Sequence, residues 1–106
     1  MSILIANNID DIKQRCVSIF RKHSVIRANI FGSFARGEQK SSSDVDFLVE
    51  FDPFINEKLN IMDTVRLIMD LETILLRKVD VMEFSQLEKC RDSLKTSIEK
   101  HQIKIL

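Results

Sequence analysis

The sequence predicts an α+β domain, a small mixed β-sheet with helices packed mainly on one face. Three observations carry this prediction. Apolar residues recur at helical spacing in three long segments, short stretches between them read as strands, and Gly32 and Pro53 stand where strand patterns stop.

The elements follow in order. Ile9, Ile12, Cys16, Ile19 and Phe20 share one helical face, with Asn8 as N-cap and Asp10 and Asp11 in the first turn. A helix is expected from about 9 to 22. Val25 to Phe31 reads as a short strand ending at Gly32. Residues 33 to 43 are small, polar or charged, and the run Ser41-Ser42-Ser43 signals a loop. The next stretch alternates: Val45, Phe47, Val49 and Phe51 fall on one face, Asp44, Asp46, Leu48 and Glu50 on the other. Asp52-Pro53 ends it, and 52 to 60 is expected as a loop. Asn60 followed by Asp63 resembles a capped helix start, and Ile61, Val65, Ile68, Leu71 and Leu75 continue at helical spacing to about Leu76. Lys78 to Phe84 alternates around Val79 and Val81 as a third strand. Ser85-Gln86-Leu87-Glu88 has the pattern of a capping box, and Leu87, Cys90, Leu94 and Ile98 give a last helix its apolar face. Ile103, Ile105 and Leu106 suggest a short edge strand. The simplest packing of this order covers one sheet face with helices and leaves the carboxylates on the other.

Composition narrows the function. A chain of 106 residues is read as one domain, able to bury one modest core. Lys+Arg and Asp+Glu both total 16, so the formal net charge is zero. Proteins that live on nucleic-acid phosphates usually carry a basic excess, so direct nucleic-acid binding is disfavoured. Cys16 and Cys90 lack metal-ligand spacing and read as small buried hydrophobes, which suits a reducing cytoplasm. Met1 to Ala6 holds a short apolar stretch without a basic region before it, and no segment is long and apolar enough for a membrane span, so no membrane association is expected.

The chemistry lies in three places. Asp44 and Asp46 alternate on a strand, which sets them on one face roughly 7 Å apart. Like charges so placed repel, and a divalent cation between them removes the repulsion. Mg²⁺ takes hard oxygen ligands, typically one or two carboxylates with substrate phosphates and water. Asp80 sits between Val79 and Val81, where a lone charge is costly. If its strand neighbours that of Asp46, three carboxylates suit two metal ions, the clamp used for in-line phosphoryl displacement. Gly32-Ser33 follows a strand directly. Glycine permits close approach of a ligand to the backbone, and the N–H groups and the serine hydroxyl are anion donors. Each feature alone is weak, because Asp-x-Asp is common on wet strand faces and Gly-Ser is usually a turn.

Together they form a pattern of fixed spacing: Gly32-Ser33, ten residues, then Asp44-Val45-Asp46. With Asp80 on a later strand, the chain resembles the DNA polymerase β-like nucleotidyltransferase superfamily and its fold. The strings Gly-Ser-Phe-Ala-Arg-Gly-Glu and Ser-Asp-Val-Asp-Phe-Leu-Val-Glu-Phe, with Lys78-Val79-Asp80-Val81, look like the minimal nucleotidyltransferase (MNT) group of prokaryotes. The resemblance spans roughly residues 26 to 98, and it makes 1–106 a single nucleotidyltransferase domain. It implies that Asp44 and Asp46 bind two Mg²⁺ ions, and that Asp80 binds the catalytic ion and helps activate the acceptor hydroxyl. It implies that Gly32 and Ser33 hold the β- and γ-phosphates of ATP, and that Arg36 reaches the triphosphate. The chain departs from many relatives in having Leu76-Arg77-Lys78 where they carry Gly before the third strand, and Ser41-Ser42 where they carry Thr-Pro. Neither departure removes a ligand.

The chain has little room for a domain that grips an acceptor. MNT proteins are similar to antitoxin partners of HEPN-type ribonuclease toxins, for which the resemblance implies transfer of AMP from ATP to a toxin tyrosine. This chain contains no Tyr, so a tyrosine acceptor must come from another protein. Two other readings stay open, a small-molecule nucleotidyltransferase of the aminoglycoside-modifying type and a non-catalytic binding antitoxin.

Overall fold

In a computed structural model, which describes residues 8–40, 42–56 and 58–106, the chain forms α1 (Ile9–Lys22), β1 (Val25–Phe31), α2 (Ser33–Arg36), β2 (Val45–Phe51), α3 (Pro53–Asn56) and α4 (Ile61–Leu75). There follow β3 (Val79–Glu83), α5 (Phe84–Leu87), α6 (Asp92–Lys100) and β4 (Ile103–Lys104). Met1 to Ala6, Ser41 and Glu57, which the sequence reading touched, lie outside the described residues.

Local signals explain most boundaries. The Asn8 side chain accepts from the Asp11 N–H at 2.8 Å and starts α1 as expected. Asn60 and Asp63 form a reciprocal capping box at the start of α4. The helix stops at Leu76, which takes the left-handed conformation with φ 57°. Within the stretch expected as a loop, Pro53 opens the single turn α3, where its fixed φ fits a first helical position.

The sheet runs in the order β3-β2-β1-β4. β1 pairs antiparallel with β2 and with β4, which confirms the edge strand at the C-terminal end. β2 and β3 are parallel, and α4 makes the crossover that a parallel pair needs. The result is a mixed sheet, as expected.

One sheet face carries the main core. Ile12, Cys16 and Phe20 of α1 and Leu67, Leu71 and Leu75 of α4 bury against Ala28, Ile30, Val45, Phe47 and Val49. The Phe20 and Phe47 rings meet edge to face with centroids 5.1 Å apart. Polar ties lock the two helices together: His23 lies 2.6 Å from the Asp70 carboxylate, and Arg15 donates to the Ile74 carbonyl at 3.1 Å.

Three local expectations are corrected. The buried face of α4 runs through Leu67, Leu71 and Leu75, while Ile61 is 78% exposed and Val65 and Met69 face solvent. Two apolar stripes exist on this helix, and packing against α1 selects one. The last helix is not continuous: α5 and α6 are separated by residues 88–91, and the Gln86 side chain caps the Glu83 N–H at 2.8 Å in place of a box from Ser85 to Glu88. Cys90 therefore sits in a connection, half-buried, and not on a helix. The far sheet face is also not wholly bare. Leu48, Leu87 and Ile98 form a second small core there, with Phe31 and Met82 packed beside it.

Candidate active site

The carboxylates gather at one end of that far face, beyond the small core. Asp46 and Asp80 are direct register partners across the parallel β2–β3 ladder. Register partners share a face, so both side chains leave the sheet on the side opposite Phe47. Asp44 lies just before β2 and is exposed, so it belongs to the approach to the strand and not to the strand itself. Asp46 carries the electrostatic strain of the arrangement. Burial, then the Asp80 and Asp44 charges, push its carboxyl up from 3.8 to about 6, against a smaller opposing pull from Arg36.

Gly32 lies against Asp46. Phe31, the last residue of β1, is the register partner of Asp46, so the chain leaves β1 directly over that carboxylate. Gly32 has φ 74° and ψ −150°, a combination essentially restricted to glycine. A Cβ here would overlap the Asp46 carboxylate oxygen and lie 3.2 Å from Asp46 Cγ. Two independent constraints therefore demand glycine. Ser33 begins α2, whose first N–H groups lack an intrahelical acceptor. Arg36, also expected at the triphosphate, borders the same space and forms an ion pair with Glu38 at 3.0 Å.

These residues line a cavity of about 480 Å³ that holds Gly32, Ser33, Arg36, Asp44 and Asp46 together. Asp80 is not part of its wall and bears on it through Asp46. The opposite wall comes from α6, with Leu94, Ser97 and Ile98. Sequence reasoning assigned Leu94 and Ile98 to a core face and missed their place at the site. Ile98 is buried, whereas Leu94 is 48% exposed at the cavity. Helical periodicity detects an apolar stripe but not whether protein or an open cavity faces it.

Arg77 was noted in the sequence only as a departure. It is buried, 8% exposed, and donates from Nη1 to the carbonyls of Ser43 at 3.1 Å and Lys40 at 3.3 Å. Its guanidinium carbon also lies 5.1 Å from the centroid of the Phe34 ring.

The donor set fits a hard divalent ion, being carboxylate oxygens beside a helix start whose first N–H groups lack an intrahelical acceptor. Among the described residues, no three His, Cys, Asp or Glu side chains converge closely enough to make a ready-formed metal group.

Residues 9–105 match the nucleotidyltransferase domain. The chain belongs to this family. A Methanocaldococcus jannaschii protein, provisionally named a protein adenylyltransferase, is 46% identical over 80 residues, which cover 76% of this chain and 82% of that protein. Among solved structures, a provisionally assigned minimal nucleotidyltransferase is 30% identical with a TM-score of 0.64, over 86% of each chain. A chain from the structure of a tri-AMPylated Shewanella oneidensis HEPN toxin in complex with MNT antitoxin has a TM-score of 0.61. It is 15% identical over 90% of this chain and 69% of that one, which is a likeness of fold alone. This nucleotidyltransferase is thus an enzyme of the transferase class, with the mixed α+β fold of its neighbours. No helix among the described residues is long and apolar enough to cross a membrane.

Proposed function

We propose that this nucleotidyltransferase moves AMP from ATP to a tyrosine of a HEPN-type toxin and so acts as its antitoxin in the cytoplasm. The observation that carries the reading is the register pair Asp46–Asp80 set beside Gly32, where a carboxylate pair meets a backbone stripped of its side chain. Asp44, Asp46 and Asp80 would hold two Mg²⁺ ions, which supply charge neutralisation for the triphosphate and lower the pKa of the attacking hydroxyl. Gly32 and Ser33 bind the β- and γ-phosphates through backbone N–H groups and the serine hydroxyl. Arg36, once turned from Glu38, adds a cation to the same phosphates.

In the reaction, the acceptor oxygen attacks the α-phosphorus in line with the bond to the β-phosphate. That bond breaks, pyrophosphate leaves, and the acceptor proton passes to the Asp80 carboxylate. On the far wall, Leu94 and Ile98 offer an apolar surface for the nucleoside, and Ser97 offers a hydroxyl. Protein as acceptor is supported by the name of the M. jannaschii relative, and a HEPN toxin by the AMPylated complex that shares the fold. The absence of Tyr from this chain sends a tyrosine acceptor to a partner. AMP on a ribonuclease tyrosine adds a bulky anion that repels and blocks RNA.

Mass spectrometry of a co-expressed HEPN partner tests the proposal. AMP-sized adducts should appear with the wild-type chain and vanish with Asp44→Asn. If both chains neutralise the partner equally and it never carries an adduct, inhibition is by binding alone and the catalytic reading fails.

A further inference from the structure

We infer that Arg77 is the positioning residue that sets Asp44 in the site, by gripping the turn in front of it. Asp44 has no strand of its own to hold it, because β2 begins one residue later. Its two neighbours are both tied to the segment that enters β3. On one side, the Ser43 carbonyl accepts from Arg77 Nη1 at 3.1 Å. On the other, the Val45 N–H donates to the Lys78 carbonyl at 2.9 Å. Asp44 is thus bracketed by contacts from two consecutive residues, one through a side chain and one through the backbone.

Lys40 and Ser43 are tied to each other in both directions. The Lys40 N–H donates to Ser43 Oγ at 2.7 Å, and the Ser43 N–H donates to the Lys40 carbonyl at 3.0 Å. Arg77 Nη1 reaches the carbonyls of both Lys40 and Ser43, so it holds two points of the approach to Asp44 instead of one. The same guanidinium lies 5.1 Å from the Phe34 ring, and Phe34 follows Ser33 in α2. One side chain therefore joins the Gly32-Ser33 half of the cavity to its Asp44 half. Three residues further on, the chain delivers Asp80 opposite Asp46.

The chemistry of the residue suits this task. A guanidinium presents several donors in a rigid plane and stacks on aromatic faces, which an ammonium cannot imitate. Burial of the charge would be costly without such partners. Arg77 touches no substrate and acts through Asp44.

The inference rests on the proposed role of Asp44 in holding Mg·ATP, and its test separates the two. The Arg77→Met and Arg77→Lys variants would be compared by hydrogen exchange and by calorimetric titration with Mg·ATP, each in the wild-type and the Asp44→Asn background. Exchange in residues 38–45 should rise about tenfold in Arg77→Met, the loss of two hydrogen bonds to one turn, with α1 and α4 unchanged. Mg·ATP affinity should fall about tenfold in the wild-type background and by less than about twofold when Asp44 is already Asn. Arg77→Lys should lie between in both measurements. Unchanged exchange, or an equal loss of affinity with and without the Asp44 carboxylate, overturns the inference. If Arg77→Met does not fold, Arg77→Lys carries the same comparisons. If the wild-type chain binds no ATP with Mg²⁺, the proposed role of Asp44 falls, and exchange alone decides whether Arg77 holds the turn.

Discussion

Asp46 and Asp80 stand opposite each other across a parallel ladder, on the same face, with Gly32 packed over the first of them. The arrangement sets like charges side by side at a half-buried position. A folded protein gains nothing from that alone, and burial, with the Asp80 and Asp44 charges adding to it, raises the Asp46 carboxyl. The protein therefore gives up stability at this point.

That penalty is measurable in thermal unfolding. The folded-state pKa of Asp46 is about 6 against an ordinary value of 3.8. Between these values the folded protein keeps a proton that the unfolded chain has released, so stability falls as pH rises through that window. Above it the full penalty applies. Asp46→Asn should therefore raise the metal-free melting temperature at pH 7.5, by a few degrees for roughly 1–2 kcal/mol after allowance for solvent screening. The gain should shrink toward zero near pH 4. Equal melting temperatures at neutral pH would show that the pair carries no strain, while the same variant should also abolish nucleotidyl transfer.

The same proton should compete with metal. Binding of Mg²⁺ to Asp46 requires the carboxylate, so affinity for Mg·ATP should be flat above the Asp46 pKa of about 6. Below it, affinity should decline by up to about tenfold per pH unit. Titration calorimetry from pH 5 to 8 measures this. A flat profile across the range would show that Asp46 is not a ligand.

The two glycines should respond differently to alanine. Gly32 has φ 74° and no space for a Cβ, whereas Gly37 has φ 72° with nothing within 4 Å of the added carbon. Gly37→Ala should cost about 1 kcal/mol of stability and leave ATP binding intact. Gly32→Ala must displace the Asp46 side chain, and Gly32→Val more so. Both should weaken Mg·ATP at least tenfold while the fold persists in circular dichroism. Equal ATP affinity in Gly32→Ala and Gly37→Ala would reduce the Gly32-Ser33 segment to a simple turn.

Leu94 tests the far wall of the cavity. It is half-exposed, so Leu94→Ala should hardly affect folding. Loss of an apolar contact with the nucleoside is worth about 1 kcal/mol, or roughly fivefold in ATP affinity. Inorganic triphosphate, which lacks a nucleoside, should bind both proteins alike. A parallel loss for both ligands would assign Leu94 to the phosphate end of the site instead.

Much of this was legible in the chain itself. Asn8 and Asn60 announced their helices because a cap acts over three residues, within reach of local sequence. Alternation placed Asp46 and Leu48 on the face away from Val45 and Phe47, because the pleat has a period of two. The spacing from Gly32-Ser33 to Asp44 and Asp46, with Asp80 downstream, identified the family that residues 9–105 match. Tertiary structure decided the rest, because each remaining feature joins residues distant in sequence. Only the parallel register sets Asp80 against Asp46, and a slip by one residue would have turned it to the other face. Only packing against α1 chose Leu67, Leu71 and Leu75 over Ile61 and Val65, since both stripes are apolar and the buried one is selected by its partner. The α6 wall and the hold of Arg77 on the turn at Lys40–Ser43 likewise depend on where the chain returns, which local periodicity does not encode.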